Sequence, residues 1–184
     1  LADMGAEVTL VARPGPSPVR EQLGGPGDDP LRRGKQVRVC DLKNPADMAQ
    51  VLDLVAGADG LIEGLRPGVM EKLGLGPAVV AARNPRLVYG RMTGWGQDGP
   101  LAQAAGHDLN YVALTGLLSL SANRGERPIL PPTVVGDAAG ALGLAFGMVC
   151  GLLSARQTGR GSVVDGAIVD IVAMLGGIAQ WIRG

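Results

Sequence analysis

The 184 residues are enough for one domain with its own core, and 46% hydrophobic against 18% charged residues describes a globular chain rather than a disordered one. Lys and Arg total 17 and Asp and Glu total 17, a balance that argues against a nucleic-acid or membrane-surface role, which needs a basic excess. Thirty glycines (Gly 30) against 3% aromatics mean that helices must pack closely through small residues.

Leu1 to Met4 reads as the tail of a helix with Gly5 as its C-cap. Glu7 to Val11 is a short strand that delivers Arg13. A lone arginine after a strand is one way to hold a phosphate in an open α/β sheet, and a solvated arginine is the plainer reading. Pro14 to Pro30 is rich in proline and glycine, has no periodicity and reads as a loop. Arg32, Arg33, Lys35 and Arg38 lead into a strand from Val37 to Cys40; such a cluster is either a phosphate site or a solvated face. Asn44 is a good N-cap, with Pro45 at the first helical position and Asp47 in the first turn. Met48, Val51, Leu52 and Val55 fall at i, i+3, i+4 and i+7, which predicts an amphipathic helix ending at Gly57.

Gly60 to Ile62 is expected as a short buried strand, with a turn at Glu63–Pro67 and a short helix from Gly68 to Leu73. Pro77 opens another helix that stops before Asn84-Pro85, and Leu87 to Met92 is a strand. Strands and helices alternating at short spacing predict a parallel α/β sheet. Gly94 to Pro100 is a tight glycine-rich turn without the spacing of a phosphate-binding or dinucleotide fingerprint. Helical character returns from Asp108 to Leu118, followed by a polar connection from Arg124 to Pro132. A long helix runs from Asp137 to Arg156 and ends at Gly159. Gly140, Gly143, Gly147 and Gly151 form a ridge along it, expected to admit another backbone. A strand at Ser162–Val164 and a final helix close the chain.

Cys40 and Cys150 lie in apolar surroundings and read as two buried thiols rather than a disulfide. Neither has metal-ligand spacing, and one histidine cannot build a His-based zinc site, so no metal is expected. The weakly polar run from Ala138 to Ala155 is broken by glycines and follows an aspartate, which disfavours a membrane span. No signal peptide is visible. The chain begins inside an apparent helix and stops without a terminal signal, so it reads as a fragment.

The chemistry-bearing residues are His107 and Asp137. Each alone has a bland reading, as a polar helix-start residue and as an N-cap. Together they stand at two loop-to-helix junctions, where outward N–H groups can stabilise an enolate or an oxyanion. The helix start is expected to favour ionised Asp137, and an imidazole can exchange protons near neutral pH. Two bases on opposite sides of a carbon acid can move a proton across it.

The stretch GRMTGWGQDGPLAQAAGHDLNYVALTG resembles the α-methylacyl-CoA racemases of family III CoA-transferases, also called CaiB/BaiF. The resemblance extends through DLKNP, LIEGLRPGVMEKLGLGP, RPILPPTVVGDAAG and RQTGRGSVVD. It implies a Rossmann-like α/β large domain, here as a partial domain over residues 1–184 that lacks the first strand and the C-terminal small domain. The start of a linking helix is then expected near 166–184. It implies an interlocked homodimer, an acyl-CoA thioester as substrate, and lipid and fatty-acid metabolism as the setting. No cofactor beyond the substrate's own coenzyme A is implied, and no nucleic acid or membrane partner. The location implied is cytoplasmic, or peroxisomal or mitochondrial in a eukaryote. By the same resemblance, His107 and Asp137 are the two catalytic bases, and a glutamate partner of the histidine lies beyond Gly184. Gly106, Asp108 and Tyr111 line the thioester end. Arg13 matches an arginine on a CoA phosphate, and Asp41, Leu42, Lys43, Arg66 and Lys72 match positions around the nucleotide and pantetheine. The activity implied is epimerisation of 2-methylacyl-CoA. The alternative is CoA transfer, in which Asp137 is a nucleophile forming an aspartyl-CoA thioester, and which has no need of His107.

Overall fold

The computed structural model describes residues 1–15, 29–123 and 125–183, which fall into two compact units, Leu1–Ala56 and Gly57–Gly184. The proline- and glycine-rich stretch expected as a loop falls largely at 16–28, outside the described residues, as does Arg124.

In the first unit, a 3-10 turn at Ala2–Met4 ends on Gly5 at φ 94, a left-handed setting that costs glycine nothing. Strand β1 (Val8–Ala12) pairs in parallel with β2 (Lys35–Val39), and Leu10 stands opposite Val37. Helix α1 (Pro45–Gly57) starts as its sequence dictates. Asn44 Oδ1 accepts the Ala46 N–H (2.8 Å), and the Asp47 carboxylate reaches back to the Asp41 N–H (2.8 Å). Val51 and Val55 are buried on its inner stripe. The basic cluster is largely committed locally. Arg33 forks onto Asp3 (2.6 and 3.2 Å), Arg32 pairs with Asp29 (3.5 Å), and Lys35 Nζ donates to the Leu31 carbonyl (2.6 Å). That favours the solvated-face reading for these three.

The second unit is a three-stranded parallel sheet in the order β3 (Gly60–Glu63), β4 (Val88–Thr93), β5 (Val163–Ala167). Its parallel connections run through helices, as parallel pairing requires. Helices α2 (Val69–Lys72) and α3 (Pro77–Arg83) link β3 to β4. Helix α4 (Asp108–Leu114), a 3-10 turn at Leu117–Ser121, and the 24-residue α5 (Val135–Thr158) link β4 to β5. Helix α6 (Ile168–Arg183) follows β5 directly. The central strand β4 is buried along Val88–Arg91, which explains its near-continuous apolar run. Strand β3 corrects an expectation. It was to be a buried strand, yet it is an edge strand in which Ile62 is 49% exposed and only Glu63 is buried.

Helix α5 lies on β4 and β5, with Leu144 and Met148 packed with Val88. Burial of each such side chain contributes about 1.5–3 kcal/mol. Its glycine ridge faces inward. A Cβ added at Gly140, Gly143, Gly147 or Gly151 would come within 2.7 Å of Ile168 Cγ1, 2.5 Å of Ile171 Cδ1, 2.7 Å of Val164 Cγ1 or 2.7 Å of Val88 Cγ1. The ridge therefore admits branched side chains of the sheet and of α6 rather than a bare backbone. One further expectation changes. Cys150 is exposed, on the outer side of α5, while Cys40 is buried, and both are free thiols. By length and composition α5 is long and apolar enough to cross a membrane, although its inner face is packed on the sheet.

Candidate active site

The site is built where β4 ends. Strand β4 runs into the glycine-rich turn, which is pinned at three points. The Gly96 N–H donates to Thr93 Oγ1 (3.0 Å), the Gln97 N–H to Asp165 Oδ2 (3.1 Å), and the Val169 N–H to the Gly94 carbonyl (3.0 Å). Trp95 meets Tyr111 edge-on, with ring centroids 4.8 Å apart. Gly94 and Gly106 make room for that pair. A Cβ at Gly106 would lie 2.8 Å from both Trp95 Cζ2 and Tyr111 Cε1, and one at Gly94 would overlap the Tyr111 ring. Gly106 is thus a packing glycine beside the candidate base. Two buried donors of the turn, Trp95 Nε1 and Gln97 Nε2, have no hydrogen-bond partner among the described residues.

His107 is the N-cap of α4 and is exposed. Asn110 secures the cap. Its Oδ1 accepts the His107 N–H (2.9 Å), and its own N–H donates to the His107 carbonyl (2.8 Å). Asp108 follows, and its Oδ1 accepts the Asp137 N–H at 2.8 Å. One carboxylate therefore ties the start of α4 to the start of α5 across 29 residues of sequence, and sets His107 and Asp137 in one neighbourhood. Gly136 allows the approach, since a Cβ there would lie 3.1 Å from Asp108 Oδ1.

Three expectations are corrected here. Asp137 does not open its helix: α5 begins at Val135, and Asp137 lies in the first turn. Its N–H is not free for an enolate, because Asp108 holds it. The helix start does not win the electrostatic balance either. Partial burial pushes the Asp137 carboxyl above the usual carboxylate range, Asp108 pushes it further, and His107 offsets only part of this. The residue as a whole remains exposed. Tyr111 is 5% exposed, and burial, then Asp137 and Asp108, raise its phenol.

The positions assigned to coenzyme A divide between the units. Arg13, Asp41, Leu42 and Lys43 belong to the first, where Asp41 Oδ1 accepts the Lys43 N–H (3.0 Å) in a tight turn. Arg66 and Lys72 belong to the second, both exposed, on the segment between β3 and α3. Among the described residues, no group of three His, Cys, Asp or Glu side chains could hold a metal.

Sequence reasoning missed an ion triad. Arg91 Nε donates to Glu63 Oε1 (3.1 Å), and its two terminal nitrogens fork onto Glu71 (2.9 and 3.3 Å). Arg91 and Glu63 are each 8% exposed. Burial works to lower the guanidinium's pKa, but hydrogen bonds from Glu71 and Glu63 outweigh it and the net direction is up. Its hydrogen bond to Arg91 holds Glu71 below its ordinary range. One signal was available: Glu63 and Arg91 are single charges in apolar strands, and they stand opposite each other in the β3–β4 register.

The chain is 43% identical over 176 residues to the human alpha-methylacyl-CoA racemase, covering 95% of this chain and 44% of that protein. It is 34% identical over 181 residues to the acetyl-CoA:oxalate CoA-transferase of Acetobacter aceti, covering 92% of this chain and 46% of that protein. A crystal structure of a CAIB/BAIF family protein from Brucella suis superposes with a TM-score of 0.89 at 26% identity, over 99% of this chain and 51% of that one. A hypothetical protein of Mycobacterium tuberculosis superposes with a TM-score of 0.88 at 34% identity, over 98% of this chain and 52% of that one. The chain thus spans about half the length of the relatives it matches. The fold and a family model that matches residues 1–182 agree, and the chain belongs to CoA-transferase family III.

Proposed function

We propose that the full-length protein is an α-methylacyl-CoA racemase that interconverts (R)- and (S)-2-methylacyl-CoA. The observation that carries this reading is the Asp108 clamp, 2.8 Å from carboxylate oxygen to the Asp137 N–H, which gathers an exposed imidazole and an exposed carboxylate at two helix starts. A thioester carbonyl makes the neighbouring C–H removable by delocalising the carbanion into an enolate. His107 takes the proton from one face of the α-carbon and Asp137 returns one to the other; in the reverse direction they exchange roles. A carboxylate pushed above its ordinary range is a stronger base than a free aspartate. Proton transfer of this kind moves no electrons, so the reading requires no redox cofactor. An interlocked homodimer is part of the proposal, as is coenzyme A binding, for which Arg13 and Asp41–Lys43 are the candidates in the first unit and, separately, Arg66 and Lys72 in the second.

The second reading is CoA transfer through an aspartyl-CoA thioester at Asp137. It is favoured by matches to proteins named as CoA-transferases, including the 37% identical alpha subunit of succinyl-CoA–L-malate CoA-transferase of Chloroflexus aurantiacus. Solvent deuterium separates the two. The racemase reading expects either enantiomer to gain deuterium at the α-carbon and lose optical purity. His107→Ala and Asp137→Asn should each then slow racemisation about 10²–10⁴-fold. Acceptor-dependent CoA exchange that survives His107→Ala, with no α-deuterium in the wild type, would establish the transferase reading instead.

A further inference from the structure

Helix α2 spans only Val69–Lys72, too short to hold its shape unaided. The turn before it carries Gly68 at φ +84. Yet this segment presents Arg66 and Lys72. Its order must come from outside, and the geometry supplies three ties. Glu63 Oε2 accepts the Leu65 N–H (2.7 Å), which shapes the exit from β3. Arg91 grips Glu63 with Nε and Glu71 with both terminal nitrogens, so one guanidinium on the central strand spans the two ends of the segment. Gln103 Nε2 donates to the Pro67 carbonyl (3.2 Å), and Gln103 lies four residues before His107.

A buried ion group of this kind is weak as a source of stability, because desolvation cancels much of the attraction. Its distinctive property is geometric. Only a planar guanidinium offers three donors in a fixed fork, and a lysine ammonium cannot match it. We infer that Arg91 is a positioning residue of the acyl-CoA site: with Glu63 and Glu71 it fixes the Glu63–Lys72 segment so that Arg66 and Lys72 meet the coenzyme. This rests on the acyl-CoA reading above. If loss of the fork leaves the segment ordered a tenth of the time, apparent affinity falls about tenfold, because the competent fraction divides into the dissociation constant.

The test uses the natural full-length protein with Arg91→Lys and Glu71→Ala. The second variant alters a side chain that is 44% exposed and leaves the buried Arg91–Glu63 pair intact, so it folds even if the first does not. Three quantities are measured: Kd for free coenzyme A, kcat at saturating substrate, and amide hydrogen exchange. The expected result is a Kd raised about tenfold, faster exchange confined to residues 64–72, and kcat nearly unchanged. Unchanged Kd in Glu71→Ala, with or without faster exchange at 64–72, would overturn the inference. So would a collapse of kcat together with faster exchange along α5, which marks a general loss of structure. Wild-type protein that binds no coenzyme A would remove both this inference and the reading beneath it, and that failure is visible before any substitution is made.

Discussion

Asp137 carries opposite demands. Its carboxylate must ionise to act as a base, yet partial burial and the neighbouring Asp108 make ionisation costly in the folded chain. Because the folded pKa lies above the unfolded one, this group adds no penalty when the pH is below the unfolded value. The penalty grows as pH rises from the unfolded value to the folded value and is complete above it. Asp137→Asn should therefore stabilise the protein at pH 7, by no more than about 1 kcal/mol given the group's exposure to solvent, and should make little difference near pH 3. Thermal unfolding of both proteins across that range checks the sign; an Asn variant less stable at pH 7 would contradict it. Types and motifs single out His107 and Asp137 as candidates; how the structure holds them was not legible. The Asp108–Asp137 bond joins positions 29 apart, and the Arg91 fork reaches 28 and 20 residues back. Such ties leave no local periodicity, and Asp108 looks like one more acidic residue in a first helical turn.

At the level of elements, local chemistry was a good guide where caps and periodicity act. Asn44–Pro45 opens α1, Pro77 opens α3, and Gly159 closes α5 at φ 74, each where the sequence places it. It failed where neighbours decide. The apolar run Gly60–Ile62 reads as interior, but β3 is an edge in its sheet, and nothing within those residues encodes which strands flank them. The glycines of α5 and α6 show the same dependence on context. Gly143 faces Ile171, and an added Cβ would meet three of its side-chain atoms within 3.1 Å. Gly177 in α6 has nothing within 4 Å. Helix propensity alone favours alanine at either place by about 1 kcal/mol. Crowding reverses the sign at the first, where overpacking costs about 1–3 kcal/mol. Gly143→Ala is expected to destabilise and Gly177→Ala to stabilise, measured by denaturant unfolding; two changes of the same sign would refute the packing argument.

For the molecule as a whole, the alternation of elements announced parallel α/β architecture, and among the described residues every strand pair is parallel. The glycine-rich helix and the scarcity of aromatics suggest a core completed by other segments, and the second unit leaves apolar surface open. Leu142, Phe146, Val149 and Leu153 form an outward row on α5, with Phe146 73% exposed. Met174, Leu175, Ile178, Trp181 and Ile182 form another on α6, with Trp181 82% exposed. Rows of this kind mark surface that a neighbour covers. The 184-residue chain made alone should self-associate, visible in sedimentation velocity as species above monomer size. A monodisperse monomer with one cooperative unfolding transition would show that the rows need no cover.

The inward side of α5 has a consequence for the whole assembly. A helix is a stiff rod, and its azimuth is shared along its length. With Gly140, Gly143, Gly147 and Gly151 seated on branched side chains, the rod is keyed at four points and has one rotational setting. Asp137 rides on its first turn. A twist of about 10° would swing an atom at the helix surface by about 1 Å, given a radius of about 5–6 Å, and a misplacement of that size can slow a reaction about 10²-fold. Gly147 lies ten residues, or about 15 Å, along the axis from Asp137. A methyl group added there touches nothing near the site, yet it would turn the key that aims the carboxylate.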